Sequence, residues 1–176
     1  MTLKQLLNSS FLSNQMTLLM KSILRHINQL FEVKCRLLTL GEKQLAYSVF
    51  GSSLQIDDIK ILAHRAVFKD YAISPNGNIY FHPKSWCEDF SKRSLQQQSW
   101  LIHELTHVWQ IQQGLAVVRK ALFDRQYHYV LEQGKLFLNY GIEQQAQMVQ
   151  DYFIQKQRGQ NCQAYEACIP FLSPKA

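Results

Sequence analysis

The segment His103-Glu104-Leu105-Thr106-His107 constrains this chain most, because it is an HExxH motif within a helical pattern. Residues four apart lie on one face of a helix, so the two imidazoles can occupy adjacent corners of a tetrahedral zinc. Glu104 projects beside them, where it can take a proton from a water on the metal. Chance alone would give such a motif in roughly 1 in 100 chains of this composition. The motif therefore predicts a zinc hydrolase, most simply a metallopeptidase.

The surroundings of the motif predict a helix from Ser94 to Gln113. Apolar residues recur at spacings of three and four along it. Ser91 or Ser94 can cap its start, and Gly114 is well placed to end it. Both histidines then lie in the middle of a mostly apolar helix, which suits a dry metal site. The alternative is a pair of buried histidines that backbone or carboxylate partners satisfy without a metal.

Composition indicates one globular domain of 176 residues, with 47% hydrophobic and 12% aromatic residues. The formal charge of +6 comes from scattered Lys and Arg, and no nucleic-acid motif accompanies them, so we expect no nucleic-acid partner. No apolar run approaches the roughly 18–20 residues that cross a bilayer. Polar residues interrupt the first twenty positions, which argues against a cleavable signal peptide. We therefore expect synthesis in the cytoplasm without such a signal.

Four cysteines are present, and none forms a CxxC pair. Cys162 and Cys168 could bridge a short C-terminal loop in an oxidising compartment. Spacing alone cannot establish a disulfide, so free thiols are the favoured interpretation.

Residues 15–31 form a second strong helical pattern, with one apolar stripe opposite Lys21 and Arg25. Such a helix packs on its own domain or docks onto a partner or carrier protein. We accordingly predict an N-terminal amphipathic helical segment ahead of the domain that carries the HExxH motif.

The region before the motif predicts a small sheet. Thr39 to Phe50 reads as a helix with a capping box at its start, and Ile56 to Ala63 is strand-like. Tyr71 to Phe81 predicts a hairpin with a tight primed turn at Asn76-Gly77. This order fits an α+β zincin-like fold, a sheet above the active-site helix with further helices after it. Ile79 to Phe81 is either the edge strand that pairs with an extended peptide or part of an ordinary core hairpin.

A catalytic zinc usually takes three protein ligands, so a third must follow downstream. Glu143 is the preferred candidate, because it starts a helical pattern from Gly141 to Gln157 and completes a His2Glu set. Ala146 is small enough to let this helix approach the first. Alternatively, the carboxylate of Glu143 is not a metal ligand and stabilises the N-terminus of its helix. His128 is the second choice, and the remaining candidates are Asp124, Glu132 and Asp151.

Peptide hydrolysis also builds negative charge on the carbonyl oxygen, which a Tyr hydroxyl or an imidazolium can stabilise. The candidates between and beside the two helices are Tyr127, His128, Tyr129 and Tyr140. Amphipathic packing is the alternative role of each tyrosine.

Several motifs in order resemble the Vgr-related metallopeptidase family. They are the run Ser74 to His82, the HExxH segment, Tyr127-His128-Tyr129, and Tyr140 to Gln145. Domains of this family occur alone or as C-terminal extensions of the VgrG spike proteins of bacterial type VI secretion. The resemblance extends from about Leu37 to Phe153. It implies an N-terminal amphipathic helical segment at 1–36 and a zincin-like metallopeptidase domain at 37–176. This chain differs from the VgrG proteins of the family in that no spike domain is recognised in its sequence.

The resemblance implies a zinc metallopeptidase with His103, His107 and Glu143 as ligands and Glu104 as base. It also implies an antibacterial or anti-host effector, with a VgrG-type carrier, a cognate inhibitor, and delivery to the periplasm of a target cell. A peptide or protein would be the substrate, with cell-wall peptides as one candidate. The rival interpretation is a catalytically silent, zinc-stabilised adaptor module of the secretion machinery.

Overall fold

The structure, a computed structural model, describes residues 29–115 and 126–172. Its elements in chain order are β1 (Glu32–Leu37), α1 (Leu40–Phe50), β2 (Lys60–His64), β3 (Ala72–Ile73), β4 (Ile79–Phe81), α2 (Leu95–Gln112), α3 (Ile142–Gln157) and α4 (Gln163–Cys168). Short 3-10 turns lie at Gly51–Ser53, Phe90–Lys92 and Phe137–Asn139. A small sheet and several helices share one core, so the predicted α+β class is confirmed.

The four strands form a mixed sheet in the order β1-β2-β4-β3. β1 is antiparallel to β2, β2 is parallel to β4, and β3 and β4 form the predicted antiparallel hairpin. β4 therefore lies inside the sheet and is buried, so of the two interpretations of Ile79–Phe81 the edge strand is wrong and the core hairpin is confirmed. β4 forms backbone hydrogen bonds with β3 on one side and with β2 on the other. The edge next to β4 is β3 (Ala72–Ile73).

Two loops also differ from the sequence prediction. Gly77 has a φ of 82°, whereas Asn76 keeps a negative φ, so the hairpin turn is not the tight primed type. The predicted strand at 56–63 begins only at Lys60, because Asp57 and Asp58 form a turn. Aspartate favours turns, since its side chain bonds nearby backbone groups.

Helix α1 begins with the predicted capping box. The amide of Glu42 donates to Thr39 Oγ1 at 3.2 Å, and the amide of Thr39 donates to Glu42 Oε2 at 2.8 Å. Gly51, with a φ of 52°, ends the helix as expected. The helix thus starts and stops on local signals that the sequence carries.

Helix α2 is buried on all sides between Leu101 and Gln110. It packs against α3 on one side and contacts β4 and α1 on others. Its predicted cap at Ser94 is confirmed, and Gly114 follows it with a φ of 77°. Because the helix is central, its polar residues must find partners inside the protein.

The described part of the chain begins within the predicted N-terminal segment. Residues 29–31 are helical, and the rest of the predicted helix at 15–31 lies outside the described residues. β1 begins at Glu32, so residues 32–36 of the predicted N-terminal segment take part in the sheet. Among the described helices, none combines the length and the apolar character that a bilayer span requires.

All four cysteines are free thiols in the structure. The Sγ atom of Cys162 lies 3.4 Å from the carbonyl of Gln160, and that of Cys168 lies 3.7 Å from the carbonyl of Lys135. The two sulfurs therefore contact different parts of the backbone.

Candidate metal centre

Three buried side chains from two helices converge at the centre of the molecule. His103 and His107 lie one turn apart on α2, with 4.9 Å between their ring centroids. The Nε2 atom of each lies 3.3 Å from the same oxygen, Oε2 of Glu143 on α3. The structure therefore brings together the three residues that the sequence suggested as ligands, each offering an atom within 4.8 Å of the others.

The spacing of these atoms fits a metal better than a direct hydrogen bond. Zinc bonds of about 2.0–2.1 Å place neighbouring corners of a tetrahedron about 3.3 Å apart. Both distances to Glu143 have this value. Charge-assisted N–H···O bonds are shorter, about 2.7–2.9 Å. Two imidazole nitrogens and one carboxylate oxygen are also a donor set that zinc accepts, so the residues present fit this ion.

The electrostatics of the cluster keep its carboxylate ionised. Burial alone would raise the pKa of Glu143, but the two facing histidines hold it well below its usual range. Burial would likewise lower the pKa of His107, yet Glu143 and Glu104 outweigh that effect and raise it. Glu143 is therefore in the form that a metal ligand requires.

Glu104 is buried beside the two histidines and has a partner that sequence analysis missed. Ser74 Oγ donates a hydrogen bond of 2.9 Å to Glu104 Oε2. Ser74 directly follows β3, so this bond ties the hairpin to the centre of α2. The only sequence signal was its position at the start of the Ser74-to-His82 motif.

A second missed residue, Gln110, lies behind His107. It is fully buried, and its Oε1 lies 2.8 Å from His107 Nδ1. Its Nε2 donates at 3.0 Å both to the carbonyl of Ile142 and to Gln145 Oε1. The available signal was spacing, since a residue three positions after His107 lies on the same helix face.

His103 has a different environment from His107. Its Nδ1 atom is buried and lacks a hydrogen-bond partner within residues 29–115 and 126–172. The ring of Tyr127 lies 6.1 Å from the His103 ring, at an interplanar angle of 33°. Tyr127 is 47% exposed.

The hydroxyls of the other two candidate tyrosines are held by the protein. Tyr129 donates to Asp151 Oδ2 at 2.6 Å. Tyr140 donates to the carbonyl of Val130 at 3.1 Å and accepts from the amide of Glu132 at 3.0 Å. Among the contacts of these three tyrosines in the described chain, only the ring of Tyr127 lies against a metal-ligand candidate.

The alternative third ligands are not part of the cluster formed by the described residues. His128 is exposed, Glu132 pairs with Lys135 at 2.7 Å, and Asp151 is bound by Tyr129. Asp124 lies outside the described residues. Glu143 is thus the acidic residue that faces both histidines.

An open hollow of about 580 Å³ adjoins the cluster through Tyr127. Gln147 and Asp151 line it and lie one and two turns beyond Glu143, on the same face of α3. Its other lining residues are His128, Tyr129, Leu131 and Tyr165. The hollow therefore extends from the ligand end of α3 along that helix.

Comparison with known proteins gives one consistent result. No model of a protein family matches the chain. Over 133 residues the chain is 42% identical to the type VI secretion system spike protein VgrG2b of Pseudomonas aeruginosa, an alignment that covers 69% of this chain and 13% of the spike protein. The solved effector domain of Pseudomonas aeruginosa VgrG2b is similar at a TM-score of 0.65 and 38% identity, covering 75% of this chain and 80% of that domain. The chain therefore spans a small part of the spike protein but most of its effector domain.

Proposed function

This chain belongs to the family of the VgrG2b effector domain, and we propose that it is a zinc-dependent metallopeptidase with a zincin-like fold. One observation carries the proposal. Two histidine nitrogens lie at tetrahedral-corner distance from one carboxylate oxygen, and Glu104 of the same HExxH segment lies buried beside them. This is the arrangement that zinc hydrolysis of a peptide bond requires.

His103, His107 and Glu143 would hold the zinc. A bound zinc supplies Lewis acidity, which polarises a carbonyl and lowers the pKa of water to about 7. Glu104 takes a proton from the water whose oxygen attacks the peptide carbonyl carbon. When the C–N bond breaks, Glu104 passes that proton to the leaving nitrogen. Ser74 holds one oxygen of Glu104, which leaves the other to face the water.

The substrate would bind along β3, the edge strand that leads directly into Ser74. An extended peptide that pairs with an edge strand uses backbone hydrogen bonds, and pockets then select its side chains. A peptide on β3 would lie next to the residue that bonds Glu104. Tyr127, which stands beside His103, is our candidate for stabilising the carbonyl oxygen as negative charge develops.

For the biological role, we propose an effector delivered by type VI secretion on a VgrG-type carrier. The similarity to a spike protein and to its effector domain supports this role. The substrate would be a protein or a cell-wall peptide in the periplasm of a target cell. A cognate inhibitor in the producing cell would be a further partner.

The test compares the wild type with Glu104→Gln and a matched surface control, Glu88→Gln, whose side chain is 75% exposed. Zinc content is measured by elemental analysis, and cleavage of a peptide library and of cell-wall stem peptides by mass spectrometry. We expect one zinc per chain in all three proteins. Cleavage should fall by about 10²–10⁴ only in Glu104→Gln, because the general base is lost.

Three outcomes would contradict the proposal in different ways. Full cleavage by Glu104→Gln would refute the mechanism. Bound zinc with no cleavage of any substrate by the wild type would favour the silent adaptor module instead. Absence of zinc uptake would remove the metal chemistry altogether.

A further inference from the structure

A directed chain of hydrogen bonds links His107 to the start of α3. It runs from His107 Nδ1 to Gln110 Oε1 at 2.8 Å, and from Gln110 Nε2 to Gln145 Oε1 at 3.0 Å. Gln145 Nε2 then donates to the carbonyl of Tyr140 at 2.8 Å. The two glutamine side chains are 0% and 2% exposed, so they complete their bonds within the protein.

Backbone carbonyls fix the orientation of both amides. A carbonyl oxygen only accepts, so the atom of Gln145 that faces Tyr140 must be the NH2 group. Its oxygen then faces Gln110. The atom of Gln110 that faces the carbonyl of Ile142 must likewise be an NH2 group. The oxygen of Gln110 is therefore left to face His107, and it can only accept a hydrogen bond.

An acceptor at Nδ1 determines the state of the imidazole. When Nδ1 carries the hydrogen, the neutral ring has its lone pair on Nε2. Nε2 is the atom that points to Glu143 Oε2. The opposite tautomer would place two lone pairs, on Nδ1 and on the Gln110 oxygen, against each other in a buried site. Burial makes such an unpaired contact costly.

We propose that Gln110 is a positioning residue, which fixes His107 in the tautomer that presents Nε2 to the metal, with Gln145 as its support. This extends the functional motif from HExxH to HExxHxxQ. The inference rests on the proposed function for its metal, and the hydrogen bonds on which it depends lie within the protein itself.

Gln110 also joins the two helices that carry the ligands. Its side chain begins on α2, next to the end that bears His107, and bonds the carbonyl of Ile142, the residue before Glu143. The same amide thus sets the state of one ligand and the position of another. His103, whose Nδ1 lacks a partner in the described chain, receives no such support.

The first measurement observes the His107 ring directly. In the metal-free protein Glu143 Oε2 is a second acceptor, 3.3 Å from His107 Nε2, so the measurement uses the Glu143→Ala variant, which keeps the Gln110 acceptor. Nitrogen-15 NMR of this metal-free variant at alkaline pH, where the His107 imidazole is neutral, reports which of its ring nitrogens carries the hydrogen. We expect Nδ1–H. A His107 ring with its hydrogen on Nε2 would overturn the proposal, whether or not the protein binds zinc.

The second measurement is zinc affinity by competition with a chromophoric chelator. Gln110→Met should weaken zinc binding by about 10–100-fold, the usual cost of losing a residue that orients a histidine ligand. Gln145→Met should weaken it less, in the same direction. The control is Gln113→Met, an exposed position on the same helix end, where a change within about twofold is expected.

Each outcome has one meaning. Equal affinities in Gln110→Met and the control would overturn the proposal. If Gln110→Met does not fold, Gln145→Met and the NMR measurement still decide it. If the wild type takes up no zinc, the proposed function fails, while the tautomer of His107 still tests the inference about Gln110.

Discussion

Two buried glutamates show how the same side chain serves two purposes in one fold. Glu42, fully buried at the start of α1, accepts four hydrogen bonds, two of them from Arg36 at 2.7 and 2.8 Å. The amides of Thr39 and Phe90 supply the other two, at 2.8 and 2.7 Å. Glu143, also buried, has the two histidines as its side-chain partners among the described residues, each at 3.3 Å.

The two glutamates differ in whether the positive charge that faces each of them is permanent. The guanidinium of Arg36 is always charged, so Glu42 is neutralised in every state of the protein. The imidazoles facing Glu143 are charged only when protonated. Zinc binding needs them neutral, and the metal itself then balances the carboxylate. Glu42, whose charge is balanced by Arg36 and whose oxygens accept four hydrogen bonds, stabilises the fold. Glu143, whose charge neutral histidines do not balance, is available to a cation.

The largest expected effect concerns stability. Glu42→Ala leaves Arg36 largely buried without its partner, so the free energy of unfolding should fall by about 3–5 kcal/mol. Urea denaturation of the metal-free protein measures this value. Glu88→Ala, which removes an exposed ion pair with Lys34, is the control and should change it by less than about 1 kcal/mol. Equal losses in the two variants would show that Glu42 is not the structural carboxylate.

The second prediction concerns the zinc affinity of the site and the stability that bound zinc adds. Glu143→Gln keeps the size of the side chain but removes its charge, so zinc affinity should fall by at least about 100-fold. In the wild type, zinc at 100 times its dissociation constant should add about 2.7 kcal/mol to the free energy of unfolding. The variant should lose this increase at the same zinc concentration. A variant that zinc still stabilises as much as the wild type would exclude Glu143 as a ligand.

The comparison also separates what local sequence predicts from what it does not. The capping box of Glu42, the HExxH helix and the helix that begins near Glu143 were all predicted to within a residue or two. Each depends on side-chain periodicity and caps within one segment, which the sequence displays directly. Glu143 was also selected from the spacing of its helix, and the structure places it against both histidines.

Apart from the contact of Glu143 with the two histidines, the long-range contacts were the part that sequence reasoning missed. The place of β4 inside the sheet depends on its pairing with β2, although β3 lies between these two strands in the sequence. Ser74 meets Glu104 across 30 positions, and Gln110 meets Ile142 across 32. Such contacts follow from how elements pack, and no periodic pattern in either segment encodes them. The sequence places Gln110 on the helix face of His107 and Ser74 at the start of a motif, but the partners of their side chains are visible only in three dimensions.

The third prediction tests the support of the catalytic base. Ser74→Ala removes a hydrogen bond to a charged carboxylate, worth about 1.5–3 kcal/mol, so kcat should fall by about 10–100-fold. Zinc affinity should stay at the wild-type value, because the hydrogen bond that the Ser74 side chain makes among the described residues goes to Glu104 and not to a ligand candidate. Steady-state cleavage and chelator competition on the same preparation measure both. An equal loss of zinc affinity would mean that Ser74 supports the metal cluster as a whole, and not Glu104 alone.

The smallest expected effect concerns Asp151, a third carboxylate, which shares the face of α3 with Glu143 but accepts bonds from Tyr129 and Gln147 at 2.6 and 2.8 Å. Tyr129→Phe removes one of these bonds and should lower the free energy of unfolding by about 1 kcal/mol, with cleavage and zinc affinity unchanged. Thermal unfolding and a cleavage assay measure the two quantities. A large loss of cleavage with intact stability would instead place the Tyr129 hydroxyl on the substrate. The expected result would show that donors, and not position on a helix face, distinguish a ligand from a structural carboxylate.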